Sequence, residues 1–156
     1  MNADDLRHLS SDSETATQVI AAALARQCKT GDCILLQGDL GAGKTAFARG
    51  FIQALSPESQ EIVSPTFTLV QTYPARDTTI WHFDLYRLKT PEEVTEIGLD
   101  EVLQSGITLI EWPELVEDSL PESSLTVRIR LGSQPEERQF EFAGLASIWK
   151  DRLSKL

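Results

Sequence analysis

A glycine-rich segment between an apolar run and a helix-forming run constrains this chain more than any other feature. Residues 38–45 read Gly-Asp-Leu-Gly-Ala-Gly-Lys-Thr, which fits the phosphate-loop pattern Gly-x-x-x-x-Gly-Lys-Thr, known as Walker A. The short apolar run Cys33–Gln37 before it predicts a strand that is covered on both faces, as in parallel sheets. Residues 46–55 after it predict a helix. This strand–loop–helix order is the context in which the motif binds phosphate.

The residue types in this segment suit the phosphate chain of a nucleotide. Glycines let the backbone close around phosphate oxygens, and the following helix presents its positive N-terminus to them. We expect the Lys44 ammonium to bridge the β- and γ-phosphates and to be catalytic, and the Thr45 hydroxyl to ligate Mg²⁺. The predicted nucleotide contacts in the loop are Gly38, Asp39, Leu40, Gly41, Ala42, Gly43, Lys44, Thr45 and Ala46.

A phosphate loop also needs an acidic group near the metal ion, and two candidates follow predicted strands. Asp84 follows residues 79–83, and Glu111 follows residues 107–110. Either carboxylate could hold Mg²⁺ through water or orient the attacking water. The residues alone therefore leave open which of the two is the main metal ligand.

The nucleobase is predicted by what the sequence lacks. A guanine-specific enzyme normally carries an Asn-Lys-x-Asp motif, but the only asparagine in the chain is Asn2. No Asp-x-x-Gly occurs either. We therefore expect adenine, with ATP and Mg²⁺ as the cofactors.

Further along the chain, helical and strand patterns alternate. This interleaving predicts an α/β class with some antiparallel pairing, and the length of 156 residues predicts one domain over residues 1–156. A capping box, Ser11-x-x-Glu14, predicts the start of a helix that runs to about Cys28. The other predicted elements are strands at 67–73, 79–83 and 107–111, a short helix from Pro91, a hairpin of 125–131 with 138–142, and a helix within 143–156.

Charge and hydropathy exclude several classes of protein. The net charge is −10, and residues 91–122 hold ten acids and no Lys or Arg, so binding of nucleic acid by this chain alone is disfavoured. No run approaches 18 apolar residues, which argues against a membrane span. The polar, acidic N-terminus lacks the apolar region of a signal peptide, so we expect a cytoplasmic protein.

Five blocks of the sequence together resemble one family. The blocks are 38–45, 64–69 (Ser-Pro-Thr-Phe-Thr-Leu), 82–88 (His-Phe-Asp-Leu-Tyr-Arg-Leu), 98–101 (Gly-Leu-Asp-Glu) and 110–114 (Ile-Glu-Trp-Pro-Glu). In this order they resemble the TsaE (YjeE) family, small ATPases of bacterial tRNA threonylcarbamoyladenosine synthesis. The resemblance implies a P-loop NTPase fold, with a mostly parallel central sheet and helices on both faces.

The resemblance also implies an activity and partners. The activity would be ATP hydrolysis within a complex that contains TsaD and TsaB. That complex transfers the threonylcarbamoyl group to adenosine 37 of tRNA, so tRNA would be reached only indirectly through the complex. Because the acidic chain is not expected to hold tRNA by itself, it would depend on these partners, and its ATP hydrolysis is expected to be weak alone and to rise with them.

Specific residue roles follow from the same resemblance. Thr45 and Glu111 would be the magnesium ligands, and Asp84 would activate water or contact the metal a second time. Further contacts to the nucleotide would come from Thr17, Thr66, Trp112 and Arg138, with Thr66 in a switch-like loop that senses the γ-phosphate. His82, between Trp81 and Phe83 on a predicted strand, is interpreted as a structural histidine.

Two other functions share the phosphate loop. A small-molecule kinase would use the same Mg²⁺ chemistry, but such enzymes usually bring a lid with several arginines. Residues 56–83 offer only Arg76 for such a lid. A nucleotide-gated binding module with negligible turnover would instead use ATP to order residues 64–69 for partner docking.

Overall fold

The structure is a computed structural model that describes residues 4–59, 61–63, 65 and 68–156. Its strands are β1 (Asp4–Ser11), β2 (Cys33–Gln37), β3 (Val70–Pro74), β4 (Thr79–Asp84), β5 (Ile107–Glu111), β6 (Leu125–Leu131) and β7 (Arg138–Gly144). Its α-helices are α1 (Glu14–Ala25), α2 (Lys44–Leu55), α3 (Pro91–Thr95), α4 (Leu99–Ser105) and α5 (Ala146–Leu153). A 3-10 helix spans Pro113–Ser119.

The strands of the described ranges form one sheet with a parallel centre. Their order is β1-β7-β6-β2-β5-β4-β3. The central strands β6, β2, β5 and β4 pair in parallel, whereas β3 pairs antiparallel to β4 at one edge. On the other side, β7 forms the predicted hairpin with β6, and β1 pairs antiparallel to β7. The predicted α/β class with some antiparallel pairing is confirmed.

Helices cover both faces of the sheet. Along β2, Ile34 and Leu36 pack into a core with buried residues of α1, α2 and α5. Cys33 and Leu35 pack into a second core with buried residues of α3, α4 and the 3-10 helix. This alternation follows the two-residue period of a strand. Burial raises the pKa of the Cys33 thiol to about 12, so the thiol packs as a small apolar group.

The helix after the glycine-rich loop is anchored from two sides. Phe47 and Phe51 of α2 are fully buried in the core beneath the helix. On another side, a Cβ at Gly50 would lie only 2.6 Å from Gln18 Cα of α1, so glycine allows the two helices to approach closely. The loop is therefore attached to a rigid element.

The start of α1 differs from the predicted one. Ser13, not Ser11, is the N-cap, and its hydroxyl oxygen accepts a hydrogen bond from the Ala16 N–H at 3.0 Å. Ser11 ends β1, and its hydroxyl shares a 2.7 Å hydrogen bond with the Thr17 hydroxyl. The capping-box prediction was wrong because β1 is an edge strand of mostly polar residues, and its sequence is typical of a loop.

Other bounds shift by a few residues. α1 ends at Ala25 rather than near Cys28, and β3 begins at Val70 rather than at residue 67, which lies outside the described residues. α4 and the 3-10 helix were not predicted, because segments of seven residues give little helical periodicity. Among the residues described, no helix has the length and apolar character needed to cross a bilayer.

Candidate nucleotide-binding site

The candidate site lies at the carboxyl ends of three neighbouring parallel strands. The glycine-rich loop follows β2, and Asp84 and Glu111 are the last residues of β4 and β5. These two acids are register partners, and Glu111 is also opposite Leu36 of β2. In open α/β sheets, ligands bind in the crevice outside these strand ends.

The loop has the backbone shape that its glycines predict. Gly41 and Gly43 have φ values of +79° and +108°, in the left-handed region that favours glycine. At Gly38, glycine is required by lack of space, because a Cβ would lie 2.7 Å from the carbonyl oxygen of Ile129 on β6. The loop therefore curls back against the sheet, and its residues lead directly into the N-terminus of α2.

The Lys44 ammonium is held by neutral groups. It donates hydrogen bonds to the carbonyl oxygens of Gly38 and Asp39, the latter at 2.9 Å, and Nζ lies 3.9 Å from the centre of the Trp112 ring. Burial lowers the pKa of Lys44, and nearby carboxylates, with Glu111 contributing most, oppose that shift. Phosphate oxygens could accept the same hydrogen bonds with a larger electrostatic gain.

Glu111 is buried and contacts two side chains. The Thr45 hydroxyl donates to Glu111 Oε1 at 3.2 Å, and His82 Nε2 lies 2.7 Å from Glu111 Oε2. Both His82 and Glu111 are almost fully buried. Asp84 is buried beside them and accepts a hydrogen bond from the Tyr86 N–H at 3.0 Å.

These oxygen atoms fit magnesium bound together with a nucleotide. Mg²⁺ prefers oxygen ligands and is commonly held by one or two carboxylates plus substrate phosphates. The Thr45 hydroxyl and the Glu111 carboxylate are adjacent, with Asp84 one strand away. Across the described ranges, no three His, Cys, Asp or Glu residues are grouped as a metal site. The oxygen atoms of Thr45 and Glu111 suit a metal that arrives with phosphate oxygens.

An aromatic pair forms one wall of the site. The Tyr86 and Trp112 rings lie 4.8 Å apart, and Tyr86 is half exposed. Trp112 has a φ of +57°, a left-handed conformation that is rare for a bulky residue. This backbone turn, directly after Glu111, brings the Trp112 ring to Lys44. The depression is lined by Leu40, Gly41, Gly43, Lys44, Thr45, Ala46, Asp84, Tyr86, Glu111 and Trp112.

A second depression adjoins the first and shares Gly43 and Ala46 with it. Its lining residues are Glu14, Thr15, Thr17, Gly43, Ala46, Pro135, Glu136 and Arg138. Arg138 Nε donates a 2.8 Å hydrogen bond to the Ala42 carbonyl oxygen, which ties β7 to the loop. The arrangement places Thr17 and Arg138 together, on the α1 side of the phosphate loop.

The structure thus brings most of the predicted site residues into two adjoining depressions. Thr66, predicted in the switch-like loop, lies outside the described residues. Two residues at the site were not assigned to it from the sequence: Tyr86, and His82 as the partner of Glu111. The two-residue strand period could have indicated His82, since it shares a face of β4 with Asp84.

Comparisons with known proteins identify a family for this chain. Residues 11–140 match the family model "Threonylcarbamoyl adenosine biosynthesis protein TsaE". A Rickettsia bellii protein named tRNA threonylcarbamoyladenosine biosynthesis protein TsaE is 47% identical over 120 residues, which cover 77% of this chain and 83% of that protein. The Bacillus subtilis protein of the same name is 36% identical over 135 residues, or 86% of this chain and 83% of that one.

A solved structure shows that the likeness extends to the fold. The crystal structure of Bacillus subtilis YdiB superposes with a TM-score of 0.81 at 30% identity, covering 99% of this chain and 97% of that chain. The predicted P-loop NTPase fold is therefore confirmed, as is the predicted family. With a family match across residues 11–140 and relatives of this similarity, the chain belongs to the TsaE family of threonylcarbamoyl adenosine biosynthesis proteins.

Proposed function

We propose that this chain is the Mg²⁺-dependent ATPase of a complex that makes threonylcarbamoyladenosine in tRNA. The observation that carries the proposal is the contact between Thr45, at the start of α2, and Glu111, at the end of β5. It unites the last residue of the phosphate motif with a buried acid from another strand, in a chain that belongs to the TsaE family. Phosphate loops use this pairing of hydroxyl and carboxylate for Mg²⁺.

Each residue has a role in this proposal. Lys44 would release the carbonyl oxygens of its own loop and donate to the β- and γ-phosphates, and Thr45 and Glu111 would hold Mg²⁺. Bound Mg²⁺ would neutralise charge that develops on the phosphates. Asp84 would accept a hydrogen bond from the attacking water and so orient it toward the γ-phosphate.

The second depression supports a place for the base. It shares Gly43 and Ala46 with the depression at the phosphate loop, so a nucleotide could span both. Thr17 and Arg138 would border the base, which we propose is adenine. Arg138 would also hold the loop in shape through the Ala42 carbonyl oxygen.

The charge distribution supports dependence on partner proteins. Residues 91–122 hold ten acids and no base, and they include Glu111 itself. Each phosphate contact to RNA normally requires a Lys or Arg. We therefore propose that TsaD-like and TsaB-like proteins hold the tRNA, and that this chain supplies nucleotide-driven steps through a surface that includes the acids of α3.

This proposal predicts two results at physiological salt. The isolated chain binds tRNA negligibly, and its phosphate release from ATP is low alone but rises when TsaD-like and TsaB-like proteins are added. Filter binding with labelled tRNA and a coupled phosphate assay measure both. Tight, salt-sensitive tRNA binding by the chain alone would contradict the proposal, as would phosphorylation of a small molecule in place of phosphate release.

A pair of charge reversals tests the docking surface. Glu92→Lys with Glu96→Lys alters two exposed positions at α3, whereas Asp4→Lys with Asp151→Lys makes the same charge change at exposed positions on β1 and α5. We expect only the α3 pair to reduce the stimulation by partners. Equal reduction by both pairs would assign the effect to net charge.

A further inference from the structure

The carboxylate of Glu111 is held from two sides, and only one side belongs to the phosphate loop. Oε1 faces the Thr45 hydroxyl at 3.2 Å, whereas Oε2 lies 2.7 Å from His82 Nε2. We propose that His82 is a positioning residue, which holds Oε2 so that Oε1 is presented to the Mg²⁺ that accompanies the nucleotide. This inference rests on the proposed function and adds a residue to its metal site.

The sheet fixes the position of His82. β4 and β5 are parallel neighbours, with His82 opposite Leu109 and Asp84 opposite Glu111. His82 therefore lies on the same face of β4 as Asp84, one pleat deeper in the sheet. From that depth its ring reaches Glu111 diagonally, on the face of the sheet that α2 covers.

Burial makes this contact consequential. His82 is 0% exposed and Glu111 is 2% exposed, so water is not available to replace a lost hydrogen bond. An ionised carboxylate can only accept hydrogen bonds, so Nε2 is the nitrogen that donates to it. Without this donor, the buried carboxylate would lose a partner and could rotate away from Thr45.

Residues that hydrogen-bond to a metal ligand, without touching the metal themselves, affect the affinity for the metal. A hydrogen bond to the far oxygen of a ligating carboxylate fixes its orientation, and removal of such partners typically costs about 10- to 100-fold in metal affinity. Within the part of the chain that the structure describes, the His82 ring makes its hydrogen bond through Nε2, to Glu111, and Nδ1 has no partner. Its effect on the site is therefore expected to appear as a metal requirement.

Two isosteric variants separate positioning from packing. The side-chain nitrogen of glutamine can occupy the place of histidine Nε2, whereas the nitrogen of asparagine is closer to the place of Nδ1. Since the contact to Glu111 uses Nε2, His82→Gln keeps a donor for Oε2 and His82→Asn does not. His82→Leu removes the donor and keeps an apolar side chain.

The experiment uses calorimetry to measure how the affinity of the full chain for ADP depends on the Mg²⁺ concentration. Electron paramagnetic resonance of Mn²⁺, used in place of Mg²⁺, measures metal binding directly. We expect His82→Leu and His82→Asn to need about 10- to 100-fold more Mg²⁺ to reach half of the Mg²⁺-dependent gain in affinity for ADP. His82→Gln is expected to approach wild type. Affinity for ADP without Mg²⁺ is expected to be unchanged in all three variants, which a general packing defect would not produce.

The outcomes distinguish this inference from the proposed function. If wild-type affinity for ADP ignores Mg²⁺, the proposed function is overturned. If wild type depends on Mg²⁺ and the three variants match it, only the role of His82 is overturned. Equal defects in His82→Gln and His82→Asn would overturn it as well, because packing rather than the Nε2 donor would then explain the loss. Should His82→Leu fail to fold, the comparison of Gln with Asn decides alone.

Discussion

Lys44→Ala is expected to lower ATP hydrolysis by at least about 100-fold, the effect of removing a positioned donor to developing charge. The ammonium donates to the carbonyl oxygens of Gly38 and Asp39, which phosphate oxygens would replace, and alanine leaves the phosphates without this donor. The measurement is phosphate release at saturating Mg²⁺ and ATP, in the presence of the proposed partners so that the wild-type rate is well above background.

Its control is Lys150→Ala, which removes an equal charge from an exposed position on α5, away from the loop. Lys150→Ala should hydrolyse ATP at the wild-type rate, and thermal melts should show that both variants are folded. Turnover by Lys44→Ala at the wild-type rate would refute the assignment of the site.

The second large effect separates the two acids at the strand ends. Glu111→Ala is expected to weaken binding of Mg²⁺-ATP by about 10- to 100-fold, because it removes the carboxylate that faces Thr45. Asp84→Ala is expected to bind Mg²⁺-ATP nearly as wild type but to turn it over slowly, since its proposed role arises only during the reaction. Titration of each variant with Mg²⁺ at fixed ATP, followed by single-turnover hydrolysis, measures the two effects.

Glu111→Gln and Asp84→Asn are the matched controls, since they keep the size of each side chain and remove its charge. Each should reproduce the defect of its alanine variant if charge is the cause. The opposite ranking, with Asp84→Ala weakening metal binding and Glu111→Ala slowing only turnover, would exchange the two roles.

The elements around the loop could be predicted because their signals are local. The apolar run of β2, the glycines and the start of α2 follow one another directly, and each residue type has a physical reason at its position. β1 could not be predicted, since its eight residues are mostly polar and its place is set by pairing with β7, over 120 residues away in sequence. The shift of the N-cap from Ser11 to Ser13 is a consequence of this missed strand.

The site could be predicted only in part, because its geometry depends on strand pairing. Asp84 and Glu111 were both candidates because each follows an apolar run. Only the pairing of β4 with β5 in the sheet shows that the two acids lie opposite each other. His82 was interpreted as structural; the strand period could have placed it on the face of Asp84, but that its ring reaches Glu111 depends on the pairing of β4 with β5. The left-handed backbone at Trp112 brings its ring to Lys44. It could not be predicted from the sequence, because tryptophan rarely adopts this conformation.

Calorimetric titration of ATP into the full chain with Mg²⁺ tests the central claim, that the loop after β2 binds ATP with its metal. We predict saturable binding at a single site, weaker binding of GTP under the same conditions, and weaker binding of ATP when EDTA removes the metal. A folded chain that binds no ATP, or that binds ATP equally well with Lys44 replaced by alanine, would contradict the claim.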